Sequence, residues 1–371
     1  MITLRAHRVF DGETYQANPV VTIDGDTIAS VGAPADGDVV DLGDVTLMPG
    51  LVDTHQHLVF NGEGTLEEQV TGVSDADLRE RARTNARRAL RAGITTIRDL
   101  GDRNFVTLDL RDDPTLPTIL AAGPPLTVVG GHCWYLGGEC AEVDALLAAV
   151  REHKTRGCAV IKIMMTGGHL TPTYPMWKSQ FSTAELRTVI DTAHALGLPV
   201  AAHCHGVSGI ASAVEAGIDT IEHCTFFTES GNSEPDETLI KSIAAARIPV
   251  SATLGRLPGM DPPPLMKANH ATMAGAMRYL HECGGTIVAG TDAGIGPPKP
   301  HDVLPHALTD LEAIGMSFEE SLRTLTATAA GVVGVGHRKG RLAAGFEADL
   351  LAFGDGLTDV RGVWRGGVRV V

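Results

Sequence analysis

The chain has 371 residues, of which 43% are hydrophobic, so it can bury a large core and is not a disordered protein. Its 45 acidic and 30 basic side chains give a formal charge of −15, which argues against a nucleic-acid partner. No stretch reaches the apolar length of a membrane span, and residues 1–5 lack the features of a secretory signal. We therefore expect a cytoplasmic protein with a small-molecule substrate and with neither a nucleic-acid nor a membrane partner.

Both ends of the chain have the pattern of short β-strands. Near the N-terminus, Asp24-Gly25 separates two apolar runs, which is a hairpin signal. Near the C-terminus, residues 348–353 form a similar run. Chain ends that lie close together are common, so the simplest arrangement packs the two ends into one domain. The sequence predicts a small discontinuous β-sandwich domain from residues 1–48 and 340–371.

Residues 49–339, between the two ends, repeat one unit several times. Each unit is a helical stretch, a stop made of small residues and a short apolar strand that ends in polar residues. Apolar strands that alternate with helices are typical of a parallel sheet covered on both faces. Eight strands can be counted in this way, at Val52, Ile94, residues 118–122, residues 160–164, Val200, Ile218, Val250 and Ile287. Eight is the count of an α/β fold of the (β/α)8 TIM-like barrel type, which has its active site at the C-terminal ends of the strands.

The first of these strands ends in two histidines, His55 and His57. Side chains alternate between the faces of a strand, so these two rings point the same way and could share a metal ion. On a helix the same spacing would separate the rings. The chain has 15 histidines, so this pair alone is better explained as two hydrogen-bonded residues at a strand end. The metal hypothesis depends on whether ligand-type residues recur at the ends of later strands.

Ligand-type residues do recur there. Lys162 lies in the fourth strand, His203 closes the fifth, His223 closes the sixth and Asp292 closes the eighth. These are the ends where barrel chemistry takes place. His205 shares a face with His203 by alternation. We assign His203 to the metal and His205 to the substrate or to support of the metal ligands, although the two could be exchanged.

Lys162 is the unusual member of this set. A lysine among apolar strand neighbours is costly when charged, and an ammonium group would repel a metal. If its amine takes up carbon dioxide, the resulting carbamate is an anion whose two oxygens can bridge two divalent ions. Two other roles are open, since Lys162 could pair with a carboxylate such as Asp292 or bind an anion of the substrate. Taken alone, Lys162 fits one of these two roles better.

With these residues in place, the chain resembles the amidohydrolase superfamily over essentially its full length. The matching segments are Pro49-Gly50-Leu51-Val52-Asp53-Thr54-His55-Gln56-His57, Gly93-Ile94-Thr95-Thr96-Ile97-Arg98-Asp99, Lys162, Ala202-His203, Glu222-His223, Gly290-Thr291-Asp292-Ala293-Gly294 and Gly345-Phe346-Glu347-Ala348-Asp349-Leu350. No single segment is specific, but the set is. The resemblance implies a metal-dependent hydrolase that consists of a barrel and a small β-sandwich.

Within the superfamily, three further segments resemble the imidazolonepropionase-like and prolidase-like branch, which contains prolidase-like carboxypeptidases, other N-acyl amino-acid hydrolases and ochratoxin-type amidases. They are Ile161-Lys162-Ile163, Thr166-Gly167-Gly168 and Gly130-Gly131-His132. The resemblance implies two divalent ions, zinc in this branch, bridged by carboxylated Lys162. Their ligands would be His55, His57 and Asp292 for one ion and His203 and His223 for the other.

The resemblance also implies how such a site would work. A hydroxide between the two ions would attack an amide or peptide-like C–N bond in an N-acyl amino acid, a dipeptide or a related small amide. Asp292 would take its proton and deliver it to the leaving amine. His132 would hydrogen-bond the developing oxyanion, although a loop histidine held by backbone among glycines fits this residue nearly as well.

The sequence defines the substrate contacts less well. Amide-hydrolysing members of the superfamily generally bind a free carboxylate on the leaving amino acid, and His205, Arg256 and Lys178 are candidates for this on three different loops. Trp134 and Tyr135 lie in a candidate mouth loop, where they would either line an apolar pocket or pack within the loop.

Other functions remain open. A deaminase or cyclic-amidine hydrolase of the same superfamily usually uses one metal and has an acidic residue just beyond the strand-five histidine, but here His203 is followed by Cys204 and His205. A lactone or phosphoester hydrolase uses the same bridged pair of ions. A catalytically silent scaffold is least favoured, because silent members tend to have lost ligands. A homo-oligomer that pairs through the edge of the β-sandwich is also open, since no interface patch can be located from sequence.

Overall fold

The computed structural model describes residues 1–33, 38–171 and 173–371. In chain order its strands are β1 (Ile2–Arg5), β2 (Arg8–Val9), β3 (Val20–Asp24), β4 (Thr27–Val31), β5 (Asp38–Asp41), β6 (Thr46–Pro49), β7 (Leu51–Gln56), β8 (Ile94–Asp99), β9 (Thr118–Ala121), β10 (Thr127–Val128), β11 (Glu139–Cys140), β12 (Ile161–Met164), β13 (Val200–Gly206), β14 (Thr220–Phe227), β15 (Val250–Thr253), β16 (Ile287–Gly290), β17 (Leu350–Phe353), β18 (Val360–Arg365) and β19 (Val368–Arg369). Its α-helices are α1 (Leu66–Val70), α2 (Asp75–Arg91), α3 (Val143–Arg156), α4 (Thr183–Ala195), α5 (Val207–Ala216), α6 (Glu237–Ala245), α7 (Pro264–Glu282), α8 (Ala307–Ala313), α9 (Phe318–Thr324) and α10 (Ala327–Val332). Within these ranges, no helix is both long enough and apolar enough to cross a bilayer.

The middle of the chain forms two parallel sheets. Strands β12 to β16 follow one another in one sheet, and β7, β8 and β9 form the other. Every residue of β7, β8, β12 and β16 is buried, as expected for parallel strands covered by helices. The strand positions predicted from the sequence lie on these strands or within two residues of one. The predicted α/β class with a parallel sheet is therefore confirmed.

Single backbone bridges join the edges of these two sheets. Gln56 at the end of β7 bridges to Ala293, which follows β16, and Leu126 bridges to Ile163 of β12. The amide of Asp292 also donates to the carbonyl oxygen of His55 over 2.7 Å. The C-terminal ends of strands from both sheets therefore line one common cavity.

Helix α4 shows how the sequence sets a helix against the sheet. Ser182 and Glu185 form the predicted capping box at its N-terminus. Its predicted apolar stripe is buried and consists of Leu186, Val189, Ile190 and Ala193. Gly197 follows the C-cap with a φ of +71°, a left-handed conformation that glycine adopts without strain. The predicted caps and stripe of this helix are confirmed.

The two chain ends pair with each other. Strand β17 runs antiparallel to β6, with Leu350 opposite Pro49, in a sheet of order β19-β18-β17-β6-β2. A second sheet has the order β4-β3-β1-β5, and its β3–β4 pair turns at the predicted Asp24-Gly25 hairpin. Apolar side chains of both sheets form one buried cluster, which includes Leu4, Ile23, Leu47, Leu350 and Trp364.

A buried ion cluster fastens the C-terminal strands to the parallel sheet. The ammonium group of Lys339, a residue that is 2% exposed, lies 2.5 Å from Oε2 of Glu347 and 2.5 Å from Oδ2 of Asp349. Arg365 contacts Asp349 over 3.2 Å and also donates to Oγ1 of Thr118 in β9 over 2.9 Å. Two acidic residues of the closing superfamily segment therefore help to join the two parts of the chain.

We expect Lys339→Met to destabilise the protein by about 1.5–3 kcal/mol at pH 7, because it removes a buried, hydrogen-bonded cation from Glu347 and Asp349, which keep Arg365 as a partner. Burial raises the pKa of Glu347, but the hydrogen bond and charge of Lys339 lower it more, so that it lies below its ordinary value of 4.5. The stabilisation from this pair is therefore present above pH 4.5 and is lost as the pH falls through the lowered pKa. Urea unfolding of both proteins at pH 7 and at pH 3.5 measures the two effects.

Lys241→Met on helix α6 is the matched control, since the ammonium group of Lys241 lies on the surface, 3.7 Å from Glu237. An exposed pair of this kind contributes at most about 1 kcal/mol. Equal unfolding free energies for the two variants would contradict the structural role of the Lys339 cluster.

Candidate metal centre

The first group of candidate ligands lies where β7 ends. The rings of His55 and His57 point to the same side, and their Nε2 atoms are 3.3 Å apart. Oδ1 of Asp292 lies 3.2 Å from Nε2 of His57 and 3.5 Å from Nε2 of His55. Donor atoms of all three residues lie within 4.8 Å of one another, and all three residues are buried. This group offers two imidazoles and one carboxylate to a divalent ion.

The second group consists of His203, His205 and His223. One ring nitrogen of each lies within 4.8 Å of the others. The rings of His205 and His223 stack with their centroids 4.5 Å apart. The sequence assigned His203 to the metal and His205 to the substrate with an exchange left open, and the structure brings both into one group. Position alone therefore does not separate the two roles.

In His205 and His203, one ring nitrogen has a hydrogen-bond partner. Nδ1 of His205 lies 2.7 Å from Oγ1 of Thr225. Nε2 of His203 lies 3.1 Å from the carbonyl oxygen of Gly167, to which it donates. Partners of this kind fix the tautomer and the orientation of an imidazole and leave its other nitrogen free for a metal.

Burial keeps these imidazoles uncharged at neutral pH. Desolvation lowers the pKa of His205 to about 3 and holds the pKa values of His203 and His223 well below the ordinary 6.5. Desolvation also lowers the pKa of His55 to about 4, with the charge of Lys162 as the second cause. A neutral imidazole has the lone pair that a metal ion requires.

Lys162 faces the same cavity as both groups. Its side chain is 1% exposed, and within the described part of the chain its Nζ has no hydrogen-bond partner. Burial lowers the pKa of this amine, and the charges of Glu222 and Asp292 oppose that shift without cancelling it. The predicted alternative of a direct pair with Asp292 is not seen among the described residues.

Glu222 and Arg98 form a buried pair behind His55 that the sequence analysis did not single out. Oε2 of Glu222 lies 2.9 Å from Nδ1 of His55, and its Oε1 accepts a hydrogen bond from Nη2 of Arg98 over 2.8 Å. Burial raises the pKa of Glu222, but Arg98 and the hydrogen bond from His55 lower it more, so the carboxylate stays charged. The pair places the proton of His55 on Nδ1 and leaves Nε2 free.

Strand alternation predicts that Glu222 and His223 point to opposite faces, yet both reach the site. Strand β14 departs from regular geometry here, because His223 and Cys224 have φ values of +69° and +55°. Its pairing with β13 also shifts register between Cys204 and Gly206. An irregularity of this kind re-aims a side chain. The superfamily segment Glu222-His223 is the signal that could have identified the carboxylate.

His132 also lines the cavity. Its Nδ1 lies 2.8 Å from Oγ1 of Thr171, and its ring centroid is 4.4 Å from that of His203. A Cβ at position 168 would lie 2.3 Å from the His132 ring, so Gly168 permits this close approach. The ring is thus held by a threonine side chain, whereas the sequence had left open that backbone alone held it.

The two ligand groups line a cavity of about 630 Å³. Among the predicted substrate contacts, His205 and Arg256 line this cavity, whereas Trp134, Tyr135 and Lys178 are not among its lining residues in the described ranges. Tyr135 is 8% exposed and belongs to a separate apolar cluster. Nζ of Lys178 lies 5.5 Å from the ring centroid of a neighbouring tyrosine. Packing within the loop, one of the two predicted alternatives, describes Tyr135 here.

Comparison with known proteins agrees with this geometry. The model of the family described as "Amidohydrolase family" matches residues 46–371. Ochratoxinase of Aspergillus niger is 28% identical over 412 aligned residues, which cover 96% of this chain and 83% of that protein. Imidazolonepropionase of Streptomyces avermitilis is 28% identical over 398 residues, which cover 94% of this chain and 86% of that protein. Among solved structures, a prolidase complexed with N-methylphosphonate-L-proline superposes with a TM-score of 0.85 at 25% identity, over 100% of this chain and 99% of that one.

We expect Glu222→Gln to lower the affinity of the centre for Zn²⁺ by about 10–100-fold, because the amide holds the His55 proton more weakly and leaves Arg98 without its anion. Competition with a chromophoric chelator measures the affinity, and circular dichroism checks that the variant is folded. Glu237→Gln on α6 is the control, since its side chain is 72% exposed. Unchanged zinc affinity in Glu222→Gln would show that His55 does not depend on this carboxylate.

Proposed function

This chain belongs to the amidohydrolase family and is a hydrolase of C–N bonds, and we propose that it uses two divalent metal ions to cleave the amide bond of an N-acyl amino acid or a related small amide. One observation carries the two-metal part of the proposal. The buried amine of Lys162 has no partner among the described residues and shares its cavity with both ligand groups.

A buried, uncharged amine can react with carbon dioxide. Burial lowers the pKa of Lys162, so a larger fraction of the amine has its lone pair available. The lone pair attacks the carbon of CO₂, and loss of one proton from Nζ gives a carbamate with a single negative charge. This group has two oxygen ligands where the bare amine has no polar partner in the described part of the chain.

The set of donors fits a pair of metal ions. We assign His55, His57 and Asp292 to one ion, His203 and His223 to the other, and carboxylated Lys162 to both. Imidazole and carboxylate groups are common ligands of zinc. Bound ions of this class polarise a carbonyl oxygen and lower the pKa of water, so that water can attack near neutral pH. We assign His205, held by Thr225, to the substrate.

Asp292 moves the proton in this proposal. Burial raises its pKa, but the hydrogen bond from His57 and the charge of His55 lower it more, so the carboxylate is ionised at neutral pH. The residue has a φ of +58°, and its amide donates to the carbonyl oxygen of His55, which aims the carboxylate at the two rings. Asp292 accepts a proton from the attacking water and then donates it to the leaving amine nitrogen.

His132 donates a hydrogen bond to the carbonyl oxygen as that oxygen gains negative charge. Oγ1 of Thr171 accepts from the amide of Cys133 over 3.2 Å, so its hydroxyl proton is available to Nδ1 of His132. Burial lowers the pKa of His132 to about 3, so the ring is neutral and its own proton lies on Nε2. His132 lines the cavity, and its Nε2–H group, which lies 3.5 Å from Sγ of Cys133, is the donor that we assign to the oxyanion.

Arg256 binds the free carboxylate of the leaving amino acid in this proposal. It lines the cavity and is half-buried, and no ion pair of Arg256 is found in the described ranges. The neighbouring ammonium group of Lys299 is occupied, because it donates to the carbonyl oxygens of Thr253 and Thr291 over 3.0 and 2.7 Å. A free guanidinium group can bind a carboxylate through two parallel hydrogen bonds.

We also infer that the two parallel sheets close into a (β/α)8 barrel over residues 49–339 and that residues 1–48 and 340–371 form a β-sandwich. The single bridges at both edges of the parallel sheets support the closure. The apolar cluster shared by the two terminal sheets supports the sandwich.

Freshly purified protein should contain about two zinc-class ions per chain, and Lys162→Ala should contain about one or fewer, because the variant loses the bridging ligand. Elemental analysis together with protein quantitation measures the ratio. Lys178→Ala is the control, since Lys178 does not line the cavity within the described ranges. About one ion per chain in all three proteins would reject the bridged site.

A single-metal hydrolase of cyclic amidines, or a deaminase, is the second candidate function. The imidazolonepropionase relative favours it. Two observations count against it. The Lys162 amine has no hydrogen-bond partner among the described residues, and no acidic residue directly follows His203 in the sequence. A metal ratio of about one, with hydrolysis of cyclic amidines and none of N-acyl amino acids, would establish this alternative.

Asp292→Asn should lower kcat by about 10²–10⁴-fold, because the amide cannot accept and return the proton. The same variant should lose less metal than Lys162→Ala, since it removes a ligand of one ion only. Steady-state kinetics with N-acyl amino acids and elemental analysis of the same preparation check both statements. Near-wild-type turnover in Asp292→Asn would remove this residue from the mechanism.

A further inference from the structure

The cavity continues beyond the metal centre along helix α7. Besides its first residue, Pro264, five residues of this helix line it, namely Met266, His270, Met273, Ala274 and Met277. Their spacing of three and four residues puts them on one face of the helix. Met277 lies eleven positions after Met266, which corresponds to about 16 Å along the helix axis. The apolar wall is therefore much longer than a single amino-acid side chain.

Helix α8 and its C-cap residue Ile314 also line the cavity. Asp310, Ala313 and Ile314 line the same cavity and again share one helical face. Two hydrogen bonds link α8 to its neighbours, since the amide of Gly255 donates to Oδ2 of Asp310 over 2.8 Å and Nη2 of Arg278 in α7 donates to the carbonyl oxygen of Ala313 over 2.8 Å. These bonds hold the middle and the C-terminal end of α8 in place, and α7 and α8 line one space.

We propose that this space binds a long, flexible acyl chain of the substrate, and we call it the acyl arm, formed by Met266, Met273, Ala274, Met277, Ala313 and Ile314. The inference rests on the proposed amide hydrolysis and specifies its substrate class as N-acyl amino acids with medium to long apolar acyl groups. Unbranched methionine side chains adapt their shape to a flexible ligand. A carboxylate held by Arg256 and a carbonyl carbon at the metal centre leave the acyl group as the part of the substrate that reaches the arm.

The chain length of the substrate tests the proposal on the zinc-loaded enzyme. For N-acetyl, N-hexanoyl and N-decanoyl derivatives of one amino acid, kcat/KM should rise by up to about fourfold for each added methylene that is buried, which corresponds to about 0.8 kcal/mol. Equal kcat/KM values for the three substrates would overturn the proposal.

Ala274→Phe should fill the arm, because Ala274 is half-buried and lines it. The ratio of kcat/KM for N-decanoyl over N-acetyl substrate should fall by about tenfold or more. Ala268→Phe is the matched control, since Ala268 is exposed on the opposite face of the same helix. Met273→Glu, which adds a charge to the arm, is a second variant that should lower the ratio in the same way.

Binding of decanoate, measured by isothermal titration calorimetry, separates this inference from the proposed function. If no N-acyl amino acid is hydrolysed, the proposed function fails. The binding of decanoate then tests the proposed acyl arm independently of hydrolysis. Binding to wild type and Ala268→Phe with loss in Ala274→Phe supports the arm. Equal binding to all three proteins, or binding to none, overturns it. Hydrolysis with an unchanged chain-length ratio in Ala274→Phe overturns the arm and leaves the proposed function standing.

Discussion

Exclusion of water from the floor of the cavity is the constraint on which the rest of the site depends. His203, His205 and His223 are buried there, and desolvation lowers their pKa values so far that these three rings are neutral at neutral pH. The same effect lowers the pKa of the Lys162 amine, so a smaller fraction of it is a cation that would repel a metal ion. A centre at the surface would have protonated rings at mildly acidic pH and a charged lysine. Burial therefore lowers the protonation of these nitrogen atoms before any ligand binds.

Buried charge is tolerated in this protein where it is fully partnered. Behind His55, the carboxylate of Glu222 has one oxygen near the imidazole and the other near the guanidinium group of Arg98. Near the chain end, Lys339 is surrounded by two carboxylates. Both clusters connect elements that are far apart in sequence, and each group that loses its partner would be left with an uncompensated desolvation cost. The metal centre and the terminal sheets thus depend on the same physical rule.

The sequence was sufficient to predict the parallel sheet and the position of most candidate metal ligands. The C-terminal ends of parallel strands lie at one edge of a sheet, so a residue at such an end can be placed without knowing how the side chains pack. The sequence was not sufficient where the backbone departs from regular form. In a regular strand, Glu222 would point away from the face that His223 presents to the site. The positive φ of His223 breaks this alternation. The wall made by Met273 and Ile314 depends on how α7 and α8 pack, which helical periodicity of either helix alone does not determine. Arg256 and Lys178 both lie in loops, and only the loop paths distinguish them.

The pairing of β6 with β17 has a consequence for how the protein is made. Pro49 lies opposite Leu350, so one edge of β6 lacks its sheet partner until about 300 further residues have been synthesised. At about 5–20 residues per second, this interval is roughly 15–60 s. During that time an apolar strand edge, with Leu47 among its residues, is open to pairing with other nascent chains. The middle of the chain and the sheet of β1, β3, β4 and β5 can form meanwhile, whereas the sheet that contains β6 and β17 can only be completed last, and slow synthesis near the C-terminus would favour aggregation at β6.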